Sequence, residues 1–197
     1  MNTAEKFTPH QQMQTAIAKW VDLAEQEWNL LASIFEVKTA QKQEYILLPG
    51  AKVHKLYFVC SGLLRFYYIT DDCIESNKAF IVENTFAGSL AAYNLDLPIL
   101  YGVQALEPTI LLAAKFNDFV ALFDRHPIFD RLGRKLAEWL LNRKELRSRS
   151  LLQQQAKERY LDFLEQYPDL VKRVPQYHIA SYLGITEVSL SRLKRTT

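Results

Sequence analysis

The residues that point most directly to a function lie near the end of the chain, on a segment predicted to form a short helix. Leu190 and Leu193 take the buried side of this helix. Its outward side is formed by four residues: Glu187, Val188, Ser189 and Arg192. A helix with such an outward side can enter the major groove of DNA, where side chains bond to the edges of bases. The spacing therefore favours a DNA-reading helix.

The residues before this helix predict a second helix that would hold it in place. Pro175 pre-sets a helical φ for the first turn. Gly184 can end the helix in the left-handed conformation that glycine adopts at low cost, and Thr186 can cap the helix that follows. The buried side of the first helix consists of three residues: Ile179, Ala180 and Leu183. The pattern predicts a helix-turn-helix, with an ordinary αα-hairpin as the alternative.

The charge distribution agrees with a polyanionic partner. Residues 1–130 contain 10 Lys and Arg against 15 Asp and Glu, whereas residues 131–197 contain 14 against 7, within a total net charge of +2. Positive charge concentrated beside the predicted helix pair is what a phosphate backbone requires. Solvated helix surfaces would explain part of the excess, but not its coincidence with the helix pair.

Composition excludes several other classes of protein. The chain of 197 residues is 49% hydrophobic and 23% charged, and no apolar run approaches the length of a membrane span. Residues 1–19 are polar and of mixed charge, without the apolar core of a signal peptide. These features predict a cytoplasmic protein that does not enter a membrane.

Catalytic and metal chemistry have little support. Cys60 and Cys73 are isolated, and the four histidines are scattered without ligand spacing. A metal-dependent barrel enzyme would need a histidine pair on its strands, but His54 is the only histidine in the predicted barrel. We therefore predict no enzymatic activity, no catalytic residue, no metal site and no cofactor.

The N-terminal residues 9–35 are predicted to be helical. Apolar side chains recur there at three- and four-residue intervals, which is typical of one buried helix face. They are Met13, Ile17, Trp20, Val21, Ala24, Trp28 and Leu31.

Between Phe35 and Lys115 the periodicity changes to that of short strands. Turn signals such as Pro49-Gly50 and Ser61-Gly62 separate alternating or β-branched runs. The predicted strands are 45–48, 53–60, 63–69, 74–82, 101–107 and 109–115. Many short strands with close turns indicate an antiparallel sandwich or barrel.

A long helix is predicted over residues 129–155, followed by a further helix over 156–167. The apolar stripe of the long helix is Leu132, Leu136, Trp139, Leu140 and Leu146. This stripe suits a dimer contact between two subunits, and packing against the chain's own barrel is the alternative. The predicted domains are residues 1–128 with the barrel, the dimerisation helix 129–155, and the helix-turn-helix domain 156–197.

This order of parts resembles the Crp/Fnr superfamily of bacterial transcription regulators over about residues 30–195. In the barrel, the likeness is in Leu48–Gly50 (L-P-G) and Tyr57–Arg65 (Y-F-V-C-S-G-L-L-R). In the C-terminal part it is in Glu158–Tyr160 (E-R-Y), Ile179–Thr186 (I-A-S-Y-L-G-I-T) and Ser189–Arg192 (S-L-S-R). The second set is similar to the short regulators of the Bacteroidetes branch. Many members of the superfamily continue beyond this point, so either this branch is short or the chain is clipped.

The resemblance implies an α+β fold and a DNA-binding function. The fold would combine an N-terminal antiparallel β-roll of the cyclic-nucleotide-binding type (a double-stranded β-helix) with flanking helices, a long dimerisation helix and an all-α helix-turn-helix domain. The implied partners are double-stranded DNA and a second copy of the chain.

Members of the superfamily that bind cyclic AMP carry a phosphate-binding cassette, and this chain departs from it. The family pairs Phe-Gly-Glu with a later Arg-Ser or Arg-Thr. Here Phe86–Leu90 has no Glu after its glycine, and Pro98–Gly102 has no arginine. The degenerate pocket would be formed by Gly88, Ser89, Leu90, Ile99 and Leu100. Because burying a phosphate without a cation is costly, cyclic AMP is not expected to bind.

Two alternatives remain for the roll. It either holds an unidentified, less charged effector or is a ligand-free scaffold. The rival hypothesis for the whole chain is a sensor of cyclic nucleotides, or of another small molecule, with a non-standard pocket.

The resemblance also assigns DNA contacts residue by residue. Family members read bases through an Arg-Glu pair early in the second helix and through an arginine one turn later. The early positions are Glu187 and Val188 here and differ in type, so the operator sequence cannot be inherited; only Arg192 matches. A bidentate bond from Arg192 to guanine is favoured, with a phosphate contact as the alternative. The remaining assigned contacts are Gln176, Tyr177, Thr186 and Ser189 near phosphates, and Lys194 and Arg195 for non-specific attraction.

Overall fold

The computed structural model describes residues 7–196; the first six residues of the predicted N-terminal domain, and Thr197, lie outside the described residues. Two helices come first: α1 (Pro9–Ile17) and α2 (Glu25–Ser33). The strands that follow are β1 (Glu36–Ala40), β2 (Tyr45–Leu47), β3 (Lys55–Ser61), β4 (Leu64–Ile69), β5 (Glu75–Ile81), β6 (Thr85–Ala87), β7 (Gly102–Ala105) and β8 (Thr109–Lys115). The other helices are α3 (Leu90–Asn94), α4 (Phe116–Val120), α5 (Pro127–Gln153), α6 (Ala156–Gln166), α7 (Leu170–Arg173), α8 (Gln176–Leu183) and α9 (Glu187–Thr196).

The strands form two four-stranded antiparallel sheets, in the orders β1-β8-β3-β6 and β2-β7-β4-β5. We call these two sheets the roll and the second of them sheet B. One hydrophobic core lies within the roll and extends to α1, α2 and α5. The predicted antiparallel β-roll with flanking helices is thus confirmed.

Two strands escaped prediction for different reasons. Four of the five side chains of β1 are exposed, so the strand lacks the alternation of buried and exposed residues that would predict it. Strand β6 has only three residues, which is too short for a periodic pattern.

The segment 9–35, predicted to be helical with one buried face, forms two helices, because the chain breaks between α1 and α2. Trp20 and Val21 lie in the break and are still covered; the Trp20 ring stacks 6.0 Å from the Phe86 ring, measured between centroids. The second helix then starts anew, because the backbone N–H of Ala24 donates to Glu27 Oε2 at 2.8 Å. Trp20 and Val21 therefore fitted a helical pattern of buried side chains although they are not in a helix.

Helix α5 begins two residues earlier than predicted. Pro127 occupies its first turn, where the missing N–H has no cost. Its leucines Leu132 and Leu136 are buried against the chain's own roll, and Trp139 and Leu140 pack on the same core. The assignment of Leu132 and Leu136 to a dimer face is therefore corrected. Within residues 7–196, no helix combines the length and apolar character needed to cross a bilayer.

The C-terminal helices pack on the outer face of sheet B. Phe80 of β5 is fully buried, and its ring centroid lies 5.3 Å from that of Tyr182 and 6.2 Å from that of Phe163. Leu63 and Leu106 of the roll join the same second core. Sheet B is thus covered on both faces, by the roll core on one side and by the C-terminal helices on the other.

A buried arginine lies on this outer face. Arg65 of β4 is 4% exposed, and its Nε donates to Gln104 Oε1 at 2.8 Å. Its Nη1 donates to Asn77 Oδ1 at 3.2 Å, and its Nη2 forms an ion pair with Glu75 Oε2 at 2.6 Å. Because a buried cation must be paired and hydrogen-bonded, these partners make the burial tolerable.

His178 of α8 completes this network from the C-terminal side. Asn77 Nδ2 donates to His178 Nδ1 at 3.0 Å and to the His178 carbonyl at 2.9 Å, and Arg65 Nη1 lies 3.4 Å from the same Nδ1. Guanidinium and amide nitrogens can only donate, so Nδ1 must accept and the imidazole is neutral. Burial, and then the charge of Arg65, lowers the pKa of His178 to about 4.

Strand β5 is the last strand of sheet B, so it forms a free edge of that sheet. Helix α8 lies against this edge. The backbone N–H of Asn77 donates to Ser181 Oγ at 2.9 Å. A side chain of α8 thereby satisfies an edge group that a neighbouring strand would otherwise bind.

Arg173, the last residue of α7, ties the C-terminal helices to the loops of the roll. Its guanidinium binds both carboxylate oxygens of Glu107, at 3.0 and 2.7 Å, and both of Glu83, at 3.1 and 2.7 Å. A further bond reaches the Gly62 carbonyl at 3.3 Å. Burial raises the pKa of Glu83, but the Arg173 guanidinium and backbone N–H groups, that of Gly62 among them, together lower it further, so the net pKa is lowered.

The Phe80 contact yields a stability prediction. Phe80→Ala removes the ring on which three C-terminal aromatic side chains pack, so we expect a loss of about 3–5 kcal/mol in the free energy of unfolding. Urea denaturation followed by circular dichroism measures it. Leu97→Ala, at an exposed position, serves as control and should change stability by about 0.5 kcal/mol or less. Equal stability of both variants would contradict the second core.

The His178 geometry yields a pH prediction. Between pH 6.5 and about 4 the unfolded chain protonates this imidazole and the folded chain does not, so the free energy of unfolding should fall as the pH is lowered through this range. His178→Asn retains an acceptor but no titrating group, and should flatten this part of the profile. The exposed His54→Asn variant is the control, and its profile should follow the wild type. An unchanged slope in His178→Asn would refute the assignment.

Candidate nucleic-acid interface and the adjoining cavity

The corner between α8 and α9 has the predicted geometry. Gly184 adopts a left-handed conformation with φ of +67°, and its N–H bonds to the carbonyl of Ser181 at 3.2 Å. The N–H of Ile185 bonds to the Ala180 carbonyl at 3.1 Å, which closes the helix end. The prediction that α8 ends at Gly184 is confirmed.

Thr186 caps α9 as predicted. Its Oγ1 accepts from the Ser189 backbone N–H at 3.2 Å and bonds to Ser189 Oγ at 2.9 Å. The core predicted to be shared by the two helices consists of Ile185, Leu190 and Leu193. Leu190 is buried, and Ile185 and Leu193 are half-buried and pack against the same cluster as Ile179 and Leu183. These two short helices therefore hold each other at a defined angle through buried side chains and local backbone bonds.

The outward residues of this helix pair are accessible. Glu187, Val188, Arg192, Lys194 and Arg195 are exposed on α9, and Ser189 is half-buried beside its capping partner. At the start of α8, Gln176 and Tyr177 are exposed as well. Their assignment to DNA contacts remains a prediction.

Part of the C-terminal basic excess has a structural role. Arg147 of α5 stacks 3.9 Å above the Tyr182 ring and also donates to the Tyr182 carbonyl. Arg159 of α6 donates to the Leu183 carbonyl at 2.9 Å. These guanidinium groups bind carbonyls at the C-terminal end of α8, where the helix dipole favours a cation. Sequence reasoning missed this role, because the partners lie 35 and 24 residues away.

The five residues predicted to form a degenerate pocket do not surround one cavity, so that assignment is corrected. Ser89 caps α3, its Oγ accepting from the Ala92 N–H at 3.3 Å. Ile99 is buried in the core of the roll, and Leu100 is 78% exposed. Leu90 faces a cavity of about 490 Å³ between α3, α4 and α5. The positions that correspond to the cassette therefore serve as a helix cap, a core residue, an exposed residue and part of a different cavity.

A larger cavity of about 780 Å³ lies between sheet B, α5 and α6. Gly88 lines it, whereas the other four predicted pocket residues do not. Its apolar wall includes Phe66, Ile81, Phe86, Tyr101, Trp139 and Leu140. Its polar wall includes Lys78, Arg143, Lys144, Arg147, Arg149, Arg159, Asp162 and Glu165. This mixture of aromatic and cationic side chains suits a small ligand that is both apolar and negatively charged.

Comparison with known proteins finds a family that is similar to the roll. Residues 37–126 match the family described as cyclic nucleotide-binding domain. No curated protein sequence matches the chain with significant similarity.

Several solved structures have a similar fold. FixK2 from Bradyrhizobium japonicum is 19% identical, with 83% of this chain and 84% of that chain covered and a TM-score of 0.73. A variant of CooA from Carboxydothermus hydrogenoformans is 20% identical, with 84% and 77% covered and a TM-score of 0.67. The catabolite activator protein of Thermus thermophilus is 21% identical, with 96% and 86% covered and a TM-score of 0.57.

The alignment with the catabolite activator protein covers 96% of this chain, so it extends beyond the roll through α5 and into the C-terminal helices. The whole order of elements is therefore shared, in agreement with the resemblance drawn from the sequence motifs. Residues 37–126 are thus similar to the cyclic nucleotide-binding domain family, and the chain as a whole has the fold of FixK2, CooA and the catabolite activator protein.

Proposed function

We propose that this chain is a cytoplasmic, homodimeric transcription regulator that binds double-stranded DNA through α8 and α9. The observation that supports it best is the capped helix α9, which exposes Arg192, Lys194 and Arg195 while α8 is fixed to the roll. In a helix-turn-helix the second helix enters the major groove, and its neighbour contacts the backbone.

Within this proposal, Arg192 reads a base and the surrounding groups position it. A guanidinium that bonds bidentately to guanine discriminates by about 1–3 kcal/mol against another base. Glu187 and Val188 are available at the start of α9 for further base contacts. Lys194 and Arg195 would add attraction to phosphates that does not depend on sequence.

The dimer contact is proposed on the exposed side of α5. Leu141 is 65% exposed and Leu152 is 85% exposed. Eleven residues separate them, which is about three helical turns, so they share one side of the helix. Leu146, from the predicted stripe, lies about 140° around the helix from Leu141 and lines the larger cavity instead. A second copy of α5 would cover the leucine side and set two reading helices about 34 Å apart.

We further propose that cyclic AMP is not the effector. The positions that would bind its ribose and phosphate are Ser89, Ile99 and Leu100, and they are respectively a helix cap, a core residue and a solvent-exposed leucine. A sensor with a non-standard ligand is the second candidate, favoured by the 780 Å³ cavity.

Arg192→Ala tests base reading. After selection of a binding site from random DNA at physiological salt, the variant should prefer that site over random DNA about 5- to 150-fold less than the wild type does, because a bidentate base contact is lost. Competition binding measures this ratio. Full retention of the preference would contradict base reading by Arg192.

Lys194→Ala is the matched control for this test. It should weaken binding to the selected site and to random DNA alike, and it should lower the salt slope by about 1, because a phosphate contact is sequence-independent. The ratio of the two affinities should remain that of the wild type.

The dimer proposal is tested by the double variant Leu141→Glu/Leu152→Glu. Two carboxylates on each facing helix would repel and remain solvated, so sedimentation equilibrium should detect monomers at concentrations where the wild type is dimeric. Leu97→Glu, which changes an exposed leucine on the roll, should leave the dimer intact. A double variant that stays dimeric would place the contact elsewhere.

A further inference from the structure

We propose that the 780 Å³ cavity binds a small organic anion with a flat apolar body, and that Lys78 of β5, with Lys144 of α5, binds its charged group. Of the positions compared with the cassette of cyclic AMP-binding proteins, Phe86 and Gly88 line this cavity, whereas Ser89, Ile99 and Leu100 do not. Calling this anion an effector rests on the proposed regulatory function, but its binding does not.

A β-bulge places Lys78 in an unusual position. The pairing between β4 and β5 passes from Phe66 opposite Ala79 to Tyr67 opposite Asn77, so Lys78 has no partner across the ladder. Bulges occur beside binding sites, where they re-aim a side chain. Here the ammonium group of Lys78 lies 3.5 Å from the Tyr101 ring centroid and 5.4 Å from that of Tyr68.

The charge of Lys78 is poorly compensated. Within residues 7–196 no carboxylate forms an ion pair with this ammonium group and no acceptor hydrogen-bonds to it; its recorded partners are the two tyrosine rings. Burial, with a further contribution from Lys144, lowers the pKa of Lys78 to about 8. A half-buried cation between aromatic rings is a favourable partner for an anion, because it is already partly desolvated.

Most other charged side chains of the cavity wall have partners of their own within the protein. Asp162 accepts a hydrogen bond from Gln154 Nε2 at 2.6 Å. Arg143 donates to the Tyr167 hydroxyl at 2.8 Å, and Arg147 and Arg159 bind the end of α8. Six cationic side chains line the cavity against two carboxylates. Among the described residues Lys78, Lys144 and Arg149 line the cavity without forming an ion pair. We assign the ligand's charged group to Lys78 and Lys144, because Lys78 lies between the tyrosine rings and Lys144 is close enough to act on its charge.

The apolar wall sets the shape of the ligand. Phe66 and Tyr101 stack with centroids 5.0 Å apart and an interplanar angle of 23°. Phe86 and Trp139 line the same cavity. Flat aromatic surfaces favour a planar ligand, and the volume falls in the range of small-molecule sites. An aromatic carboxylate or sulfonate fits both walls.

A ligand in this site would affect contacts that hold the C-terminal helices. Arg147 lines the cavity and binds the carbonyl of Tyr182 in α8, while Arg143 lines it and binds the hydroxyl of Tyr167, which directly follows α6. A ligand that draws either guanidinium inward would compete with these bonds. The cavity is thus placed to affect the position of the reading helices.

The experiment compares two fluorescent probes of the same shape. 8-Anilino-1-naphthalenesulfonate carries the anion, and N-phenyl-1-naphthylamine lacks it. Both are titrated into the full chain and into Lys78→Met, Lys78→Arg and the exposed control Lys157→Met. We expect Lys78→Met to weaken sulfonate binding at least about tenfold without changing binding of the neutral probe, and Lys78→Arg and Lys157→Met to stay within about twofold of wild type.

Equal affinity of the two probes for wild type, or an unchanged sulfonate affinity in Lys78→Met, would overturn the proposal. Cyclic AMP that binds more tightly than the sulfonate, and as tightly to Lys78→Met as to wild type, would overturn it too. Thermal unfolding confirms that each variant is folded. If Lys78→Met is not, Lys144→Met takes its place with the same readouts, and an unchanged sulfonate affinity there counts against the proposal.

The effector role is measured separately, by DNA binding with and without the sulfonate. Loss of DNA binding in the tests of α9 would remove the regulatory role while probe binding persists. Loss of the Lys78 dependence would remove the anion site while DNA binding persists.

Discussion

Burial of the Arg65 guanidinium is the constraint on which the arrangement of the two halves depends. A cation that is 4% exposed needs a full set of acceptors, and Arg65 finds them on two strands and one helix: Gln104 of β7, Asn77 and Glu75 of β5, and His178 of α8. Three of these belong to the roll and one to α8. Moving α8 away would expose the network to water and remove an acceptor from both Arg65 and Asn77. The position of α8 is therefore tied to the chemistry of sheet B.

Strand β5 then connects two sites that face in opposite directions. Asn77 points to α8 and binds His178, whereas the next residue, Lys78, points to the cavity and to Tyr101. The bulge between Phe66 and Tyr67 sits at this same place. A change in how Lys78 is held would act on a strand whose neighbouring residue holds the reading domain. This short covalent link needs no extended chain of side chains between the two sites.

Local features of the fold could be predicted from the sequence, and distant pairings could not. The left-handed Gly184 and the Thr186 cap follow from residue type and spacing over a few positions. Arg173 bonds to residues 66 and 90 positions away, and no local pattern marks it. The stripe on α5 was seen correctly as buried, but periodicity cannot tell whether the covering surface is the chain's own roll or a second copy. Likewise, the loss of the cassette was visible, whereas the outward turn of Leu100 was not.

The basic C-terminal part divides its charges between structural contacts and exposed surface. Arg147, Arg159 and Arg173 bind carbonyls or carboxylates through several N–H groups, as planar guanidinium groups do well. Lys144 has a compact ammonium group without such a partner among the described residues, and Arg192, Lys194 and Arg195 are exposed on α9. The positive charge available to phosphate is therefore smaller than the sequence count beyond residue 130, because several arginines bind groups within the protein and stabilise the helix positions. What remains accessible is concentrated on α9 and along the cavity, and these are the two places where an anionic partner has been inferred on independent geometric grounds.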